Sequence, residues 1–171
     1  MSSKTVPARY SPLWVTLHWL TALLIFILLY LGFASANSPT TMKPIFLRWH
    51  MPMGTTVLLL TLIRLFVRAR TPRPEPARSG SVFLDKAAEG IHHLLYLLLF
   101  VVPVTGLLLS FRYNLPPAVF EGAPFPTSLQ PFLHGLLNFL FIFVILIHIL
   151  AALYHQFVRK DNLLGRMWYE K

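Results

Sequence analysis

Four histidines, His18, His50, His134 and His148, stand in stretches that otherwise read as membrane interior. A neutral imidazole has one donor and one acceptor, and hydrocarbon offers a partner to neither. His134 and His148 share the run PFLHGLLNFLFIFVILIHIL, fourteen residues apart. At 3.6 residues per turn this is just under four turns, so both lie on one helix face, about 21 Å apart along the axis. His134 then belongs near one membrane boundary and His148 toward the other. His18 lies one to two turns into the first apolar run, at the depth of His148, and His50 opens the second run, at the depth of His134. Two pairs at matched depths result, each drawn from two helices. That is what a six-coordinate b-type haem requires, with four porphyrin nitrogens and an axial imidazole from each of two facing helices. Two such pairs imply two haems, with Gly54, Gly106 and Gly135 as small residues beside the candidate ligands.

The elements that hold these residues follow from composition. The chain has 171 residues, 56% hydrophobic and 12% charged, with a mean hydropathy of +0.62. A soluble domain would carry about 25% charge. Apolar residues gather in four blocks, at about 13–36, 48–68, 91–111 and 132–157. Each is near the roughly 20 residues that cross a hydrocarbon core about 30 Å thick. The expectation is all-α: an integral membrane four-helix bundle, one domain over residues 1–171. The run from Leu13 is too long for a cleavable signal and no small-residue cleavage site follows it, so it should remain as span 1. Ser11-Pro12 reads as a capped helix start. Residues 37–44 read as a turn, 69–80 as an extended proline-rich loop, 114–131, with five prolines, as the longest connection, and 159–171 as a basic amphipathic tail. Trp14, Trp19, Trp49 and Trp168 fall near expected interfaces, as an aromatic belt would.

The net charge of +9 is distributed by side of the membrane. Lys4 and Arg9 precede span 1, Arg64, Arg68, Arg70, Arg73, Arg78 and Lys86 cluster between spans 2 and 3, and Arg159, Lys160, Arg166 and Lys171 follow span 4. The other side has only Lys43, Arg48 and Arg112. The positive-inside rule places both termini and the loop between spans 2 and 3 in the cytoplasm. Basic residues confined to span ends also argue against nucleic-acid binding.

Other chemistries fit less well. The sequence has no cysteine, which excludes disulfides, thiolate ligands, Cys-ligated iron–sulfur clusters and covalent c-type haem. No Asp or Glu lies within the four apolar blocks, which disfavours zinc and a carboxylate-driven transporter. A single histidine at a span end could simply reach water or another side chain. Four at matched depths argue for function.

Three histidines remain. His155 is seven residues past His148, roughly on the same face, and is an alternative ligand; measured from His134 it would demand about 31 Å, the full hydrocarbon thickness. His92 and His93 open span 3 at the depth of the inner pair, and either could replace His18 or His148. Otherwise all three suit an interface, or proton exchange at a quinone.

The stretches RYSPLWVTLHW (9–19), RWHMPMG (48–54), HHLLYLLLFVVPVTGL (92–107), LHGLLNFL (133–140) and HQFVRKDNLLGRM (155–167) together resemble the bacterial cytochrome b561 family. The resemblance runs over nearly the whole chain, in order. It implies a dihaem b protein with ligands at His18, His50, His134 and His148. For activity it implies oxidation of extracytoplasmic superoxide, with the electrons delivered through two haems to ubiquinone. The related alternative is a cytochrome b relay subunit between the quinone pool and a partner dehydrogenase or cytochrome. Lys43, Arg48 and Arg112, opposed outside only by Glu121, would attract a small anion, or serve as ordinary membrane anchors.

The charge asymmetry predicts that a reporter fused to the C-terminus is active in the cytoplasm. Activity only in the periplasm would invert the orientation and with it the side from which electrons enter.

Overall fold

The computed structural model describes residues 8–77 and 79–169, and all its regular elements are helical. Lys4, Arg78 and Lys171 of the charge pattern lie outside the described residues. Four helices are long and apolar enough to cross a membrane. Helix α1 is Pro12–Ala36, α2 is Lys43–Arg70, α3 is Val82–Arg112, and α5 is Phe132–Leu153, continued by a π-helical turn at Tyr154–Arg159. A short helix, α4 at Leu115–Phe120, lies between α3 and α5.

The helices outrun the apolar blocks. Hydropathy marks where lipid begins, not where helical hydrogen bonding stops. Thus α2 starts five residues ahead of the block at 48, and α3 nine residues ahead of that at 91. Asp85 and Glu89 fall on this polar lead of α3, so they are helical yet outside its apolar stretch. Ser11 caps α1, its hydroxyl accepting from the Trp14 amide at 3.4 Å, with Pro12 at the first helical position.

The packing runs α1 on α2, α2 on α3 and α3 on α5. Among the described residues α5 packs closely on α3 and stands farther from α1 and α2, which it meets through histidine rings and the shared apolar core. The main core lies halfway along the bundle: Val57, Leu98, Leu99, Val102, Phe141 and Val144, with Ile25 against them. Phe132 and Phe139, by contrast, are 79% and 74% exposed, as lipid-facing side chains are. Trp14 departs from the aromatic belt expected of it. It is buried, packing with Leu17 and Val67 and stacking on Tyr10 at 5.2 Å.

The 114–131 connection and the tail both carry structure. In the 114–131 segment, Pro116 and Pro117 occupy the first turn of α4, where a missing N–H costs nothing. Leu115, Ala118 and Val119 are buried, and α4 packs against α2 and α3. The tail is not a free amphipathic helix. Lys160 turns the chain at φ 58°, and the tail returns to the start of α1. There Tyr10 N–H donates to the Arg166 carbonyl at 3.2 Å, and Trp19 Nε1 to the Met167 carbonyl at 2.9 Å. Arg166 and Arg159 donate to the carbonyls of Glu75 and Ser79 at 2.8 and 2.7 Å, pinning the proline-rich loop.

The turn into the tail is held by Asp161, whose carboxylate meets His155 Nδ1 at 2.5 Å. That hydrogen bond, ahead of smaller contributions from charge, holds the Asp161 pKa below its usual value. A depressed carboxyl stabilises the fold above its unfolded pKa and is lost as pH falls through the folded one. Hydrogen exchange across residues 160–169 should therefore speed up in the wild type only below the ordinary carboxylate range. In Asp161→Asn it should already be fast at neutral pH. Equal protection in both proteins at pH 7 would show that the contact does not hold the tail.

Candidate functional site

Residues fourteen apart recur on every long helix. On α1 they are His18 and Gly32, on α2 His50 and Arg64, on α3 His92 and Gly106, and on α5 His134 and His148. Because neighbouring helices run antiparallel, these eight positions form two layers about 21 Å apart. The terminal layer, at the end carrying both chain termini, holds His18, Arg64, His92 and His148. The distal layer holds Gly32, His50, Gly106 and His134. Halfway between stand Ile25, Val57, Leu99 and Phe141, all within the apolar core.

In the distal layer the rings of His50 and His134 face each other across the bundle with centroids 6.2 Å apart. Two glycines admit them. A Cβ on Gly32 would come within 3.2 Å of His50 Cε1, and one on Gly106 within 3.2 Å of His134 Cε1. Of the glycines expected to make room for a haem, Gly106 is the one against a histidine ring, while a Cβ on Gly54 or Gly135 would meet open space; Gly32 was not singled out by the sequence. His134 is held by α3: its Nδ1 lies 3.1 Å from the Val102 carbonyl and 3.0 Å from Thr105 Oγ1, which itself donates to Val102 at 2.7 Å. A carbonyl only accepts, so the His134 proton sits on Nδ1 and Nε2 keeps its lone pair. His50 Nδ1 is buried without a formed hydrogen bond, with the Leu28 carbonyl as its backbone neighbour.

In the terminal layer the His18 and His148 centroids are 6.4 Å apart. Arg64 Nη2 lies 3.3 Å from His18 Nδ1. The His92 ring is 5.3 Å from that of His148, and its Nδ1 donates to the Ala88 carbonyl at 2.8 Å. His93, about 100° around α3 from His92, is exposed. His155 is held by Asp161 in the π-helical turn. Among the described residues no three His, Asp or Glu side chains converge as a bare metal ion would require.

The distal surface carries the three cations singled out by charge. Lys43 Nζ donates to the Ser35 and Ala36 carbonyls at 2.8 and 3.3 Å, closing the end of α1. Arg48 donates to the Val119 carbonyl at 3.3 Å, tying α2 to α4. Arg112 lies over the Tyr113 ring at 5.7 Å. Each has a structural task in addition to its charge.

A ring-to-ring distance tests whether the two pairs fit a shared iron. Two metal–nitrogen bonds of about 2 Å and two half-rings of about 1.1 Å place the centroids about 6.2 Å apart. The His50–His134 and His18–His148 distances fit this; the His92–His148 distance is too short. The glycine cradles and the stand-off of α5 are also what a flat macrocycle between helices demands.

A four-helix membrane bundle with a cross-bundle histidine pair at each of two depths defines a class, the membrane cytochromes of b type. The sequence matches the family of prokaryotic cytochrome b561 proteins over residues 9–170, and the chain belongs to that family. It is 31% identical to a probable superoxide oxidase CybB of Yersinia pestis, over 95% of this chain and 97% of that one. It is 29% identical to cytochrome b561 homolog 2 of Escherichia coli K12, over 98% and 95% of the two chains. To a cytochrome b562 of Cereibacter sphaeroides it is 30% identical, over 92% and 94%. The family brings b-type haem, membrane electron transfer and an oxidoreductase role.

Proposed function

We propose that the chain holds two b haems, one between His18 and His148 and one between His50 and His134. Through them it would pass electrons from extracytoplasmic superoxide to ubiquinone in the bacterial inner membrane. The observation that carries the haem assignment is the pair of cross-bundle distances, 6.4 and 6.2 Å, at two depths. The superoxide assignment is supported by similarity to the Yersinia relative, a probable superoxide oxidase, and by a distal surface bearing Lys43, Arg48 and Arg112. The balanced reaction is two superoxide anions, one ubiquinone and two protons giving two dioxygen and one ubiquinol.

When bound, each haem would supply a reversible one-electron iron couple, held by the histidine pair assigned to it. The protein's own residues do the rest. Val102 and Thr105 fix the ring orientation of His134, as partners one shell out from a metal commonly do. Gly32 and Gly106 set how closely the distal rings lie against their helices. The three distal cations attract an approaching anion over roughly 8 Å at 0.15 M salt. At the opposite end, His92, His93 and the His155–Asp161 pair stand where a quinone would take up protons.

Two measurements test this reading. A pyridine haemochrome assay should give two haems per chain. His50→Ala or His134→Ala should each lose one haem, and His18→Ala or His148→Ala the other. One haem or none in the wild type would sink the assignment, and loss in His155→Ala with retention in His148→Ala would move a ligand to His155.

Stopped-flow mixing with superoxide should reduce the haems at a second-order rate that falls with added salt. Neutralising Lys43, Arg48 and Arg112 together should slow it several-fold at unchanged haem content. No haem reduction by superoxide, with reduction by quinol intact, would favour the relay-subunit reading.

A further inference from the structure

The two layers differ in charge. Where the distal layer has Gly32 and Gly106, the terminal layer has His18 and His92. Where α2 gives the distal layer His50, it gives the terminal layer Arg64. Arg64 is half-buried, six residues short of the end of α2. Its neighbours are the His18 ring, with Nη2 3.3 Å from Nδ1, and the Tyr96 ring, with the guanidinium 5.4 Å from its centroid. Arg68 lies on the same Tyr96 ring at 5.2 Å, so the tyrosine separates the two cations. Among the described residues no carboxylate pairs with Arg64. A guanidinium only donates, so in this contact His18 Nδ1 accepts and the ring proton sits on Nε2; ligation through Nε2 would move that proton to Nδ1, and the full positive charge stands against the ring in either tautomer. In the distal layer the corresponding contact, at His134 Nδ1, is the Val102 carbonyl, the negative end of a dipole.

We propose that Arg64 is a positioning residue that makes the terminal-layer haem the stronger electron acceptor of the two, giving the electron path its direction. The proposal rests on the haem assignment above. A reduced iron centre carries one positive charge fewer than the oxidised one, so a fixed cation nearby favours reduction. The carbonyl dipole aimed at His134 acts the other way: it strengthens Nδ1–H donation and makes that imidazole the more basic ligand. An electron entering at the distal layer is thereby drawn toward the layer holding His18 and His148. No further reactant is needed, because the electron lost by one centre is the electron gained by the other.

The test is a spectroelectrochemical titration of purified holoprotein, comparing wild type with Arg64→Met, Arg64→Gln and Arg64→Lys. The wild type should show two midpoints. The methionine and glutamine variants should keep both haems. Their higher midpoint should fall by at least a tenfold change in the reduction equilibrium, 59 mV for one electron. The lower midpoint should stay in place, and the lysine variant, which keeps the charge, should retain most of the higher value. Unchanged midpoints with both haems present would overturn the proposal. An equal fall in the lysine variant would also overturn it, since packing and not charge would then be responsible. So would loss of one haem from both neutral variants, because Arg64 would then hold the group and not tune it. A wild type without haem is a separate failure, that of the functional reading itself.

Discussion

Every polar group inside the bundle has to be answered by another at the same depth, because lipid answers none. This requirement fixes the register of all four long helices. Each crosses with alternate direction, and each places its chemistry-bearing or space-making residues fourteen positions apart. A slip of one residue on any helix would move its marked position by about 1.5 Å along the axis and about 100° around it. The His50 ring would then leave the slot at Gly32, and the His134 ring would leave Gly106 and the Val102 carbonyl. The apolar positions midway, Ile25, Val57, Leu99 and Phe141, inherit the same register and pack as one core. Other features are anchored to it: α4 closes the distal end over α2 and α3, and the tail closes the other end over α1.

What was legible in the sequence follows from how rare each signal is. Four apolar blocks and histidines in hydrocarbon are strong signals, and counting at 1.5 Å per residue was enough to match the histidines in depth. Gly106 was legible as a small residue in the outer half of its span, but Gly32 carries a weaker signal. Glycine is common in membrane helices, so Gly32 does not stand out until its fourteen-residue partner His18 is noticed. Its role depends on the facing helix, since the His50 ring it admits belongs to α2. Arg64 read as a boundary anchor, since a basic residue near a cytoplasmic span end usually is one. Its contact with His18 spans forty-six positions and has no local trace. Where the tail docks left no local trace for the same reason: the carbonyls of Arg166 and Met167 meet Tyr10 and Trp19 across most of the chain.

The two ends of the bundle divide the work differently. At the distal end the cations are spent in part on architecture, with Lys43 closing α1 and Arg48 holding α4. Their charge still reaches solvent, because hydrogen bonds to carbonyls leave a cation's net charge in place. At the terminal end the titratable side chains gather: His92, His93, His155 and Asp161. Between the ends the core offers no acid, base or hydroxyl chain. Thr21, Thr61 and Thr105 are buried, and each turns its hydroxyl onto a carbonyl of its own helix. Among the described residues these hydroxyls form no proton chain through the core.

That separation sets an energetic requirement on the proposed direction of flow. In the orientation that the charge asymmetry predicts, with the termini in the cytoplasm, an electron moving from the distal to the terminal layer travels toward the negative side of the membrane. The layers are about 21 Å apart in a core about 30 Å thick, so the move crosses about 0.7 of the field. At 2.3 kcal/mol per charge per 100 mV, the cost is about 1.6 kcal/mol for each 100 mV of membrane potential. A unit charge about 7 Å from a redox centre, at an effective dielectric of about 20, is worth about 2 kcal/mol. One fixed cation beside the terminal centre is therefore of the size needed to offset the field. A neutral residue at position 64 would leave only the Val102 carbonyl at His134 to favour the crossing. Among the described residues no carboxylate stands against Arg64, and a paired acid would cancel its charge.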